Sequence, residues 1–254
     1  MQVLYERCAA VDVGKDVIAV AVRLPGDGPD GRQTVKRTFK TFYGVLREAA
    51  RWLVSLGVTH VAMEATGIYS MPVYHALLEH GDFDKVLVCN AGHVKNVPGR
   101  KTDLADAEWL VQLLECGLLA GSFIPPADIK AARDVIRYRA KVVQSRTSEV
   151  QRLGNVLQDA GIKIDSVASS ITTKSGRAMI ESLIDGERRP DVLADLALGR
   201  MRPKIPDLMM ALEGRFGDHH ALMCRLHLDH IDHLEAAIAR LQALGHTVTL
   251  DPAA

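Results

Sequence analysis

The sequence predicts an α/β fold in its first half, with a mixed sheet flanked by helices, and an all-α coiled-coil domain in its second half. Two patterns predict this division. Three β-rich runs lead into strands that alternate with helices, and after residue 125 long apolar repeats of helical period replace the strands. At 254 residues, 48% hydrophobic and 24% charged, the chain has the length and composition of a globular protein with one or two domains.

The first forty residues predict three antiparallel strands. Residues 7–13, 17–24 and 34–41 are rich in β-branched and other apolar residues and are separated by short turns. The Pro-Gly-Asp-Gly-Pro cluster at 25–29 predicts a loop that closes a hairpin. We therefore expect a three-stranded meander.

From residue 45 onward the pattern alternates between helices and strands. Apolar residues at helical spacing predict helices over 45–56, 71–80 and 102–119, and the apolar runs 59–65 and 85–91 predict strands. Strands that alternate with helices pair in parallel through crossover connections. A meander followed by this alternation is the element order of an RNase H-like domain, which we assign to residues 1–125.

The Pro125-Pro126 pair predicts the start of a second domain, 126–254, because proline is tolerated only in the first turn of a helix. Residues of one stripe in this domain step alternately by three and four, the spacing of a coiled-coil seam. They are Ile129, Ala132, Ile136, Arg139, Val143, Arg146, Val150, Leu153, Leu157 and Ala160. A second stripe, within 206–244, consists of Leu222, Leu226, Ile231, Leu234, Ile238 and Leu241. The stripes predict an antiparallel α-hairpin, with an intermolecular coiled coil as the alternative.

Charge, apolar runs and cysteine spacing exclude several classes of protein. Lys and Arg number 31 and Asp and Glu number 31, so no overall basic excess indicates a polyanionic partner. No apolar run approaches the ~20 residues that span a bilayer, and Glu6 and Arg7 interrupt any signal-like segment. The 4 cysteines form no CxxC pair, which argues against a zinc site and for reduced thiols. We expect a cytoplasmic protein.

Four carboxylates stand where the predicted fold brings residues together. Asp12 lies within the first strand, where a charge that faces the core is costly unless it is paired or binds a metal. Glu64 ends a predicted parallel strand, at the edge where open α/β sheets bind ligands. Asp103 and Asp106 are three residues apart at the start of a predicted helix and share one face.

Carboxylates that converge from two strands and a helix form an oxygen-rich site for hard divalent cations such as Mg²⁺. Two such ions about 4 Å apart activate water on one side of a phosphodiester and stabilise the leaving oxygen on the other. The sequence therefore predicts nuclease-type chemistry at the four acids. For Asp103, which follows Thr102, a role at the capped end of the helix is the alternative.

The motifs VDVGKD, MEATG and KTDLADA, in this order, resemble those of the DEDD insertion-sequence transposases of the IS110 family and the related Piv-type DNA invertases. The likeness continues through RLGNVLQDAGIKIDSVASSI and SGRAMIESLIDGE and covers nearly all of the chain. The resemblance implies a RuvC-like N-terminal domain in which Asp12, Glu64, Asp103 and Asp106 bind Mg²⁺ for DNA strand cleavage. It also implies a recombinase that a structured bridge RNA guides to donor and target DNA, and a coiled-coil region that supports a homo-oligomer.

Members of that family continue past the coiled coil into a C-terminal domain with a catalytic serine. The sequence ends at Ala254, and its last residues, GHTVTLDPAA, do not resemble the start of that domain. No serine of the preceding region is assigned the role. We therefore expect a truncated transposase that does not complete transposition alone.

Two basic segments predict contacts with nucleic acid. Lys95, Arg100 and Lys101 lie in a loop before Asp103, where glycines permit close approach of a phosphate backbone. Residues 130–152 hold seven Lys or Arg and two acids, a stripe that we expect to bind phosphates, with a solvated helix face as the alternative. Its candidate contacts are Arg133, Arg137 and Lys141.

The leading prediction is a Mg²⁺-dependent, RNA-guided DNA transposase or site-specific recombinase. A non-catalytic nucleic-acid-binding or oligomerisation module that regulates a full-length transposase is the alternative. The DVGK motif also resembles the first phosphate-binding turn of actin-like sugar kinases, but their second phosphate-binding domain has no counterpart after residue 126. His227, His230 and His233 fan out around a predicted helix, and we assign them structural rather than metal-binding roles.

Overall fold

The structure is a computed structural model that describes residues 2–28, 30–90, 92 and 106–248. The chain divides into two compact units, Met1–Ile124 and Pro125–Ala254, here called unit 1 and unit 2. No helix among the described residues combines the length and the apolar character needed to cross a membrane.

Unit 1 is built on a five-stranded mixed sheet. Its strands are β1 (Cys8–Val13), β2 (Val17–Pro25), β3 (Arg32–Lys40), β4 (His60–Glu64) and β5 (Lys85–Cys89). The strand order is β3-β2-β1-β4-β5; β1, β2 and β3 pair antiparallel, whereas β4 and β5 run parallel to β1. The predicted meander and the predicted parallel strands are confirmed, and the mixed sheet is consistent with an RNase H-like fold.

Three described helices flank the sheet: α1 (Tyr43–Ser55), α2 (Ser70–His80) and α3 (Asp106–Glu115). Helix α1 ends where the sequence predicts, because Gly57 adopts a φ of 67°, a left-handed conformation that favours glycine. There the Gly57 N–H donates to the Val54 carbonyl and the Val58 N–H donates to the Leu53 carbonyl. Helix α3 stops before Gly117, which also has a positive φ, and therefore ends earlier than the predicted helix over 102–119, whose first four residues lie outside the described residues.

The alternation of side chains along the strands divides the core of unit 1 into two layers. Ala9 and Val11 of β1 pack on the side of α1 and α2, whereas Cys8 and Ala10 pack on the side of α3. Strands β1, β2 and β4 all contribute alanines to the α3 side, and small side chains let the helix approach the sheet closely. Because side chains alternate with a period of two, the next residue of β1 on the α3 side is Asp12.

The two edge strands of the sheet differ in chemistry. Strand β3 carries four Lys or Arg and no acidic residue. Strand β5 pairs on its outer side with a returning segment, in which Gly121 bridges to Cys89 and the Ser122 N–H donates to the Val88 carbonyl at 2.7 Å. One edge is therefore strongly basic, and the other is covered by the chain itself.

A buried ion-pair network joins β2, β3 and α3. Glu115, at the end of α3, accepts hydrogen bonds from Arg32 Nε at 2.6 Å and from Arg23 Nε at 3.3 Å. Arg23 also pairs with Asp30, and Arg32 donates to the Glu6 carbonyl at 2.5 Å. The side chains of Arg23, Arg32 and Glu115 are at most 10% exposed, so the network is shielded from water. The sequence analysis did not predict it.

Helices are the only regular secondary structure in the described residues of unit 2. These are α4 (Ala127–Asp159), α5 (Ile164–Val167), α6 (Lys174–Ile184), α7 (Pro190–Asp195), a 3₁₀ helix (Gly199–Lys204), α8 (Ile205–Ala211) and α9 (Asp218–Val248). Helices α4 and α9 pack along each other in opposite directions, since Arg146 pairs with Glu235 and Asp159 pairs with His220. They form the antiparallel hairpin that one of the two alternatives predicts, whereas coiled-coil packing as such stays a prediction.

The buried face of the hairpin is shifted from the two predicted stripes at five positions and follows them at the others. Side chains of α4 that are buried or half-buried include Ala132, Val135, Arg139, Val142, Arg146, Glu149, Val150, Leu153, Val156 and Leu157, and Ala160 directly after the helix is buried too. Five residues predicted in the two stripes are instead exposed, namely Ile129, Ile136, Val143, Leu222 and Leu226. On α9 the buried positions include Cys224, Leu228 and Ile231. The shift arises because apolar residues occupy two adjacent rows of α4, and contact with α9 decides which row is buried.

A carboxylate lies inside this helix pair. One oxygen of Glu149 accepts a hydrogen bond from His227 Nδ1 at 2.6 Å and lies 3.3 Å from His230 Nδ1, and the other lies 2.6 Å from Arg152 Nη1. Burial raises the pKa of Glu149, but the hydrogen bonds from His227, Arg152 and His230 outweigh it and lower that pKa to about 2. His227 and His230 thus contact an acid of the facing helix, in keeping with structural roles.

We expect unit 2 to lose stability in acid because of Glu149. Its folded-state pKa lies below the ordinary value of 4.5, so the carboxylate stabilises the fold above pH 4.5, and this contribution is lost as the pH falls towards 2. Glu149→Gln is expected to lower the free energy of unfolding at neutral pH by about 1.5–3 kcal/mol, the range for hydrogen bonds to a charged group. Urea unfolding followed by far-ultraviolet circular dichroism at several pH values measures both effects. An unchanged acid dependence in the variant would contradict the assignment.

Candidate functional site

Two of the four predicted acids lie at the ends of neighbouring strands. The last paired residues of the parallel strands β1 and β4 are Val11 and Met63. Asp12 directly follows Val11, and Glu64 directly follows Met63. By the alternation of side chains, both acids lie on the face of the sheet that α3 covers. Because adjacent strands are about 4.8 Å apart, the register places the backbones of Asp12 and Glu64 side by side at one end of the sheet.

The third acid, Asp106, comes from the first described turn of α3 and is exposed. Burial raises the pKa of Asp12, and the negative charge of Asp106 raises it further. Asp12 is thus half-buried near a like charge, and its carboxylate forms no hydrogen bond or ion pair with the residues that the structure describes. A bound cation would favour the charged form of Asp12.

Hydrogen bonds on both sides hold the backbone at Glu64. The Ala65 N–H donates to the Cys89 carbonyl at 2.8 Å, and Thr66 Oγ1 donates to the Glu64 carbonyl at 3.2 Å. Burial, and to a smaller extent the charge of Glu64, raises the pKa of the Cys89 thiol to about 11. This thiol stays protonated at neutral pH and is a poor nucleophile, so the charged group that this strand end offers to a ligand is Glu64.

Four predicted site residues lie outside the described residues, namely Lys95, Arg100, Lys101 and Asp103. In the part of the chain that the structure describes, no three carboxylate, imidazole or thiol side chains lie close enough together to hold a metal ion. Asp12, Glu64 and Asp106 thus come to one end of the sheet without completing a metal site by themselves. Their oxygen-only, negatively charged donor set is the one that Mg²⁺ prefers.

The three basic residues predicted on the long helix α4 are all exposed. Arg133, Arg137 and Lys141 follow one another at intervals of four and therefore share one face of the helix. None of them forms an ion pair with a described carboxylate, whereas the neighbouring Lys130 pairs with Asp134 at 2.8 Å. This face of α4 is open and positively charged, and its contact with nucleic acid stays a prediction.

The sequence analysis missed exposed apolar side chains at the same end of the sheet as Asp12. Phe42, which follows β3, is 70% exposed, and Ile68 and Tyr69, in the turn after β4, are 79% and 42% exposed. Exposed apolar side chains of this size are a feature of surfaces that contact a ligand or another molecule. The motif MEATGIY contains the signal, since its Ile and Tyr directly follow a turn glycine with a φ of 60°.

Comparison with known families decides which protein class this arrangement belongs to. A family model described as a transposase, for the DEDD transposases of IS110, matches residues 9–162, from β1 to the end of α4. This is more than half of the chain. The chain belongs to the IS110 family of DEDD transposases. The family resemblance of the motifs is thereby confirmed, and no curated protein matches the sequence.

Membership of the IS110 family bears on the site in two ways. The matched residues include all four predicted acids and the basic face of α4. A transposase acts on DNA, so the family supports a transposase function for this chain with DNA as its substrate. The match gives no individual residue a role, and the roles of single side chains are therefore proposals.

Proposed function

We propose that this chain cleaves DNA strands during transposition, with divalent metal ions held by Asp12, Glu64, Asp103 and Asp106. The observation that carries the proposal is the meeting of Asp12, Glu64 and Asp106 at one end of the sheet in a chain of the IS110 transposase family. A half-buried carboxylate next to a like charge is unfavourable unless a cation compensates it. Its presence here therefore supports a metal-binding role.

Mg²⁺ is the proposed ion, because hard cations prefer oxygen ligands and carboxylates are the available donors. When bound, it supplies a Lewis acid that polarises a phosphodiester and activates water. Asp12 on the central strand and Glu64 on the adjacent strand provide fixed ligands, since both strands are hydrogen-bonded on two sides. Asp106 is exposed and is accessible to a substrate that approaches from solvent.

We further propose that nucleic acid contacts two basic groups, Lys95, Arg100 and Lys101 before α3 and Arg133, Arg137 and Lys141 on α4. The exposure of the α4 residues on one face, without partner carboxylates among the described residues, supports this proposal. The bound nucleic acids would be the DNA substrate and a structured bridge RNA that guides the choice of target. Phosphate contacts of this kind make affinity depend strongly on salt.

We also propose that residues 1–125 form the RuvC-like nuclease domain and that residues 126–254 form a coiled-coil domain that joins chains into a homo-oligomer. Helix α4 exposes a row of apolar residues, Ile129, Ile136 and Val143. Their spacing of seven is that of one repeated position in a coiled-coil heptad. A second chain that packed on this row would bury it, which supports the proposed assembly.

A DNA cleavage assay with and without metal tests the proposed function. With Mg²⁺ and guide RNA present, we expect the full chain to nick labelled DNA that carries a transposon end. EDTA is expected to abolish the nicks, and Mn²⁺ added in excess is expected to restore them. Denaturing gel electrophoresis measures the products, and nicking that persists in EDTA would contradict metal-dependent chemistry.

A nucleic-acid-binding module without cleavage is the second candidate. The observation that favours it is the row of exposed basic residues on α4, because binding of nucleic acid through Arg133, Arg137 and Lys141 requires no metal ion. Under this alternative the chain binds DNA or RNA in the same assay without nicking, and Asp12→Asn leaves binding unchanged. Nicking in Mg²⁺ that disappears in Asp12→Asn would reject it.

A further inference from the structure

Unit 2 contains a second basic surface, which the sequence analysis did not predict. It is an open hollow of about 590 Å³ between the segment that joins α5 to α6 and the 3₁₀ helix. Its polar lining includes Ser169, Thr173, Lys174, Arg200 and Lys204. A second hollow, of about 390 Å³, shares Val167 and Lys204 with the first and adds Lys163 and Ser166. The two hollows thus adjoin, and together they are called here the connector groove.

The positive charge of the connector groove is not compensated by neighbouring acids. Its cations are Lys163, Lys174, Arg200 and Lys204. All four are exposed, and none pairs with a carboxylate among the residues described. Two arginines elsewhere in unit 2 do have acidic partners: Arg189 pairs with Asp191 at 2.6 Å and Arg225 with Asp185 at 3.6 Å. One acid, Asp207, lines the second hollow. The groove therefore has a local positive charge in a chain whose formal net charge is zero.

Hydrogen bonds fix the walls of the connector groove. Lys204 Nζ donates to the Val167 carbonyl at 2.8 Å, which ties the 3₁₀ helix to the end of α5. On the opposite side, the Leu198 N–H donates to Ser175 Oγ at 2.9 Å, and Ser175 is itself buried. The groove is thus formed before any ligand arrives, so binding does not have to order its walls.

The shape and lining of the groove indicate the class of ligand. Its cations come from three separate segments, at 163, 174 and 200–204, and the groove is open along its length, which suits an extended polyanion rather than a single phosphate. Hydroxyl groups and the exposed apolar side chain of Leu198 lie among the cations. Cations and hydroxyls contact phosphate oxygens, and apolar side chains contact bases and sugars. An acidic peptide would pair with the cations but would not supply the bases and sugars that contact Leu198, so the lining favours a nucleic acid.

We propose that the connector groove binds the phosphodiester backbone of a nucleic acid. All four cations lie outside residues 9–162, the span that matches the transposase family, so the proposal does not derive from that match. Binding in the groove requires no metal ion and none of the four acids of unit 1. The inference therefore goes beyond the proposed function, because a chain that did not cleave DNA would still bind nucleic acid here.

Fluorescence anisotropy with the full chain in EDTA tests the proposal, with a labelled DNA duplex and a labelled RNA hairpin as probes. The double variant Lys174→Gln, Arg200→Gln is expected to raise the Kd for at least one probe about tenfold. It is also expected to reduce the slope of log Kd against log salt by about 1.4–1.8, the value for two lost phosphate contacts. Adding Lys163→Gln is expected to weaken binding further.

The matched control is Arg189→Gln, Arg225→Gln, which removes the same charge from two arginines that have acidic partners, and its Kd is expected to stay near that of the parent protein. Circular dichroism checks that each variant folds. If the double variant does not fold, the Kd of the single variant Lys163→Gln is measured instead and decides the outcome. A selective loss of RNA or of DNA binding supports the proposal and identifies the ligand. Unchanged Kd and slope with both probes, an equal loss in the control, or displacement of both probes by polyglutamate at matched charge would overturn it.

Discussion

Replacing Asp12 with asparagine is expected to slow DNA cleavage by about 10³-fold or more, since loss of a metal ligand removes several kcal/mol of transition-state stabilisation. The substitution is not expected to lower the free energy of unfolding. Burial and the charge of Asp106 raise the pKa of Asp12, so its charged form is unfavourable in the folded protein, and a neutral amide relieves this. We therefore expect the metal-free variant to be at least as stable as the parent protein.

Cleavage of labelled DNA and thermal unfolding, each with and without Mg²⁺, measure the two effects of Asp12→Asn. Mg²⁺ is expected to raise the Tm of the parent protein and not that of the variant, because a ligand that binds only the folded state stabilises it. Asp16→Asn is the matched control, since Asp16 is an exposed acid of the same motif. Loss of cleavage in both variants, or in neither, would contradict the role given to Asp12.

Replacing Glu115 with alanine is expected to lower the free energy of unfolding of unit 1 by about 3–5 kcal/mol. The change leaves Arg23 and Arg32 in the interior without the carboxylate that both contact. Breaking a buried ion pair from one side costs this much because an uncompensated charge stays in a region of low dielectric constant. Asp30 pairs with Arg23 and does not replace Glu115 at Arg32.

Glu108→Ala is the control for Glu115→Ala, because Glu108 lies on the same helix and pairs with the exposed Lys36. A pair of this kind contributes less than about 1 kcal/mol. Both tryptophans of the sequence, Trp52 and Trp109, belong to unit 1, so tryptophan fluorescence during urea unfolding reports on this unit. If Glu115→Ala and Glu108→Ala lowered the free energy of unfolding equally, the buried Glu115 network would contribute no more to stability than the Glu108–Lys36 pair.

The element order of unit 1 was predictable because its signals are local. Alternating apolar residues predict β1 and β2, and Gly57 predicts the end of α1. Once the strands are placed, the positions of Asp12 and Glu64 follow from topology, since parallel neighbours end at the same edge of a sheet. The part of the site that depends on strand order was therefore accessible from the sequence.

The buried face of α4 was not predictable in the same way. Val135 and Ile136 are both apolar, as are Val142 and Val143, so two adjacent rows satisfy a heptad pattern equally well. Only contact with α9, whose Glu235 lies 89 residues beyond its partner Arg146, decides that Val135 and Val142 are buried more than their neighbours. The periodicity of apolar residues therefore predicts the helix and its apolar side, but it does not decide which of two adjacent rows of side chains is buried.

Buried charges were the other feature that the sequence did not reveal. Arg23 lies in an apolar strand, but its partner Glu115 is 92 residues away. Glutamate is usually found on the surface, but Glu149 is buried, and its partner His227 lies 78 residues later in the sequence. Because such pairs form between distant segments, no local pattern marks them, whereas acids at the ends of adjacent parallel strands are marked by the strands themselves.

Both edges of the sheet in unit 1 are closed to an added strand. Proteins aggregate through sheets when a free edge accepts a strand from another molecule. At β3, the exposed Arg37 and Lys40 would face the same two charges of a second copy, whereas Arg32 is buried against Glu115 and Lys36 pairs with Glu108. At β5, the backbone groups of Val88 and Cys89 are already engaged by residues 121–122. Among the described residues of unit 1, addition of a strand from another molecule is therefore disfavoured at both edges of the sheet.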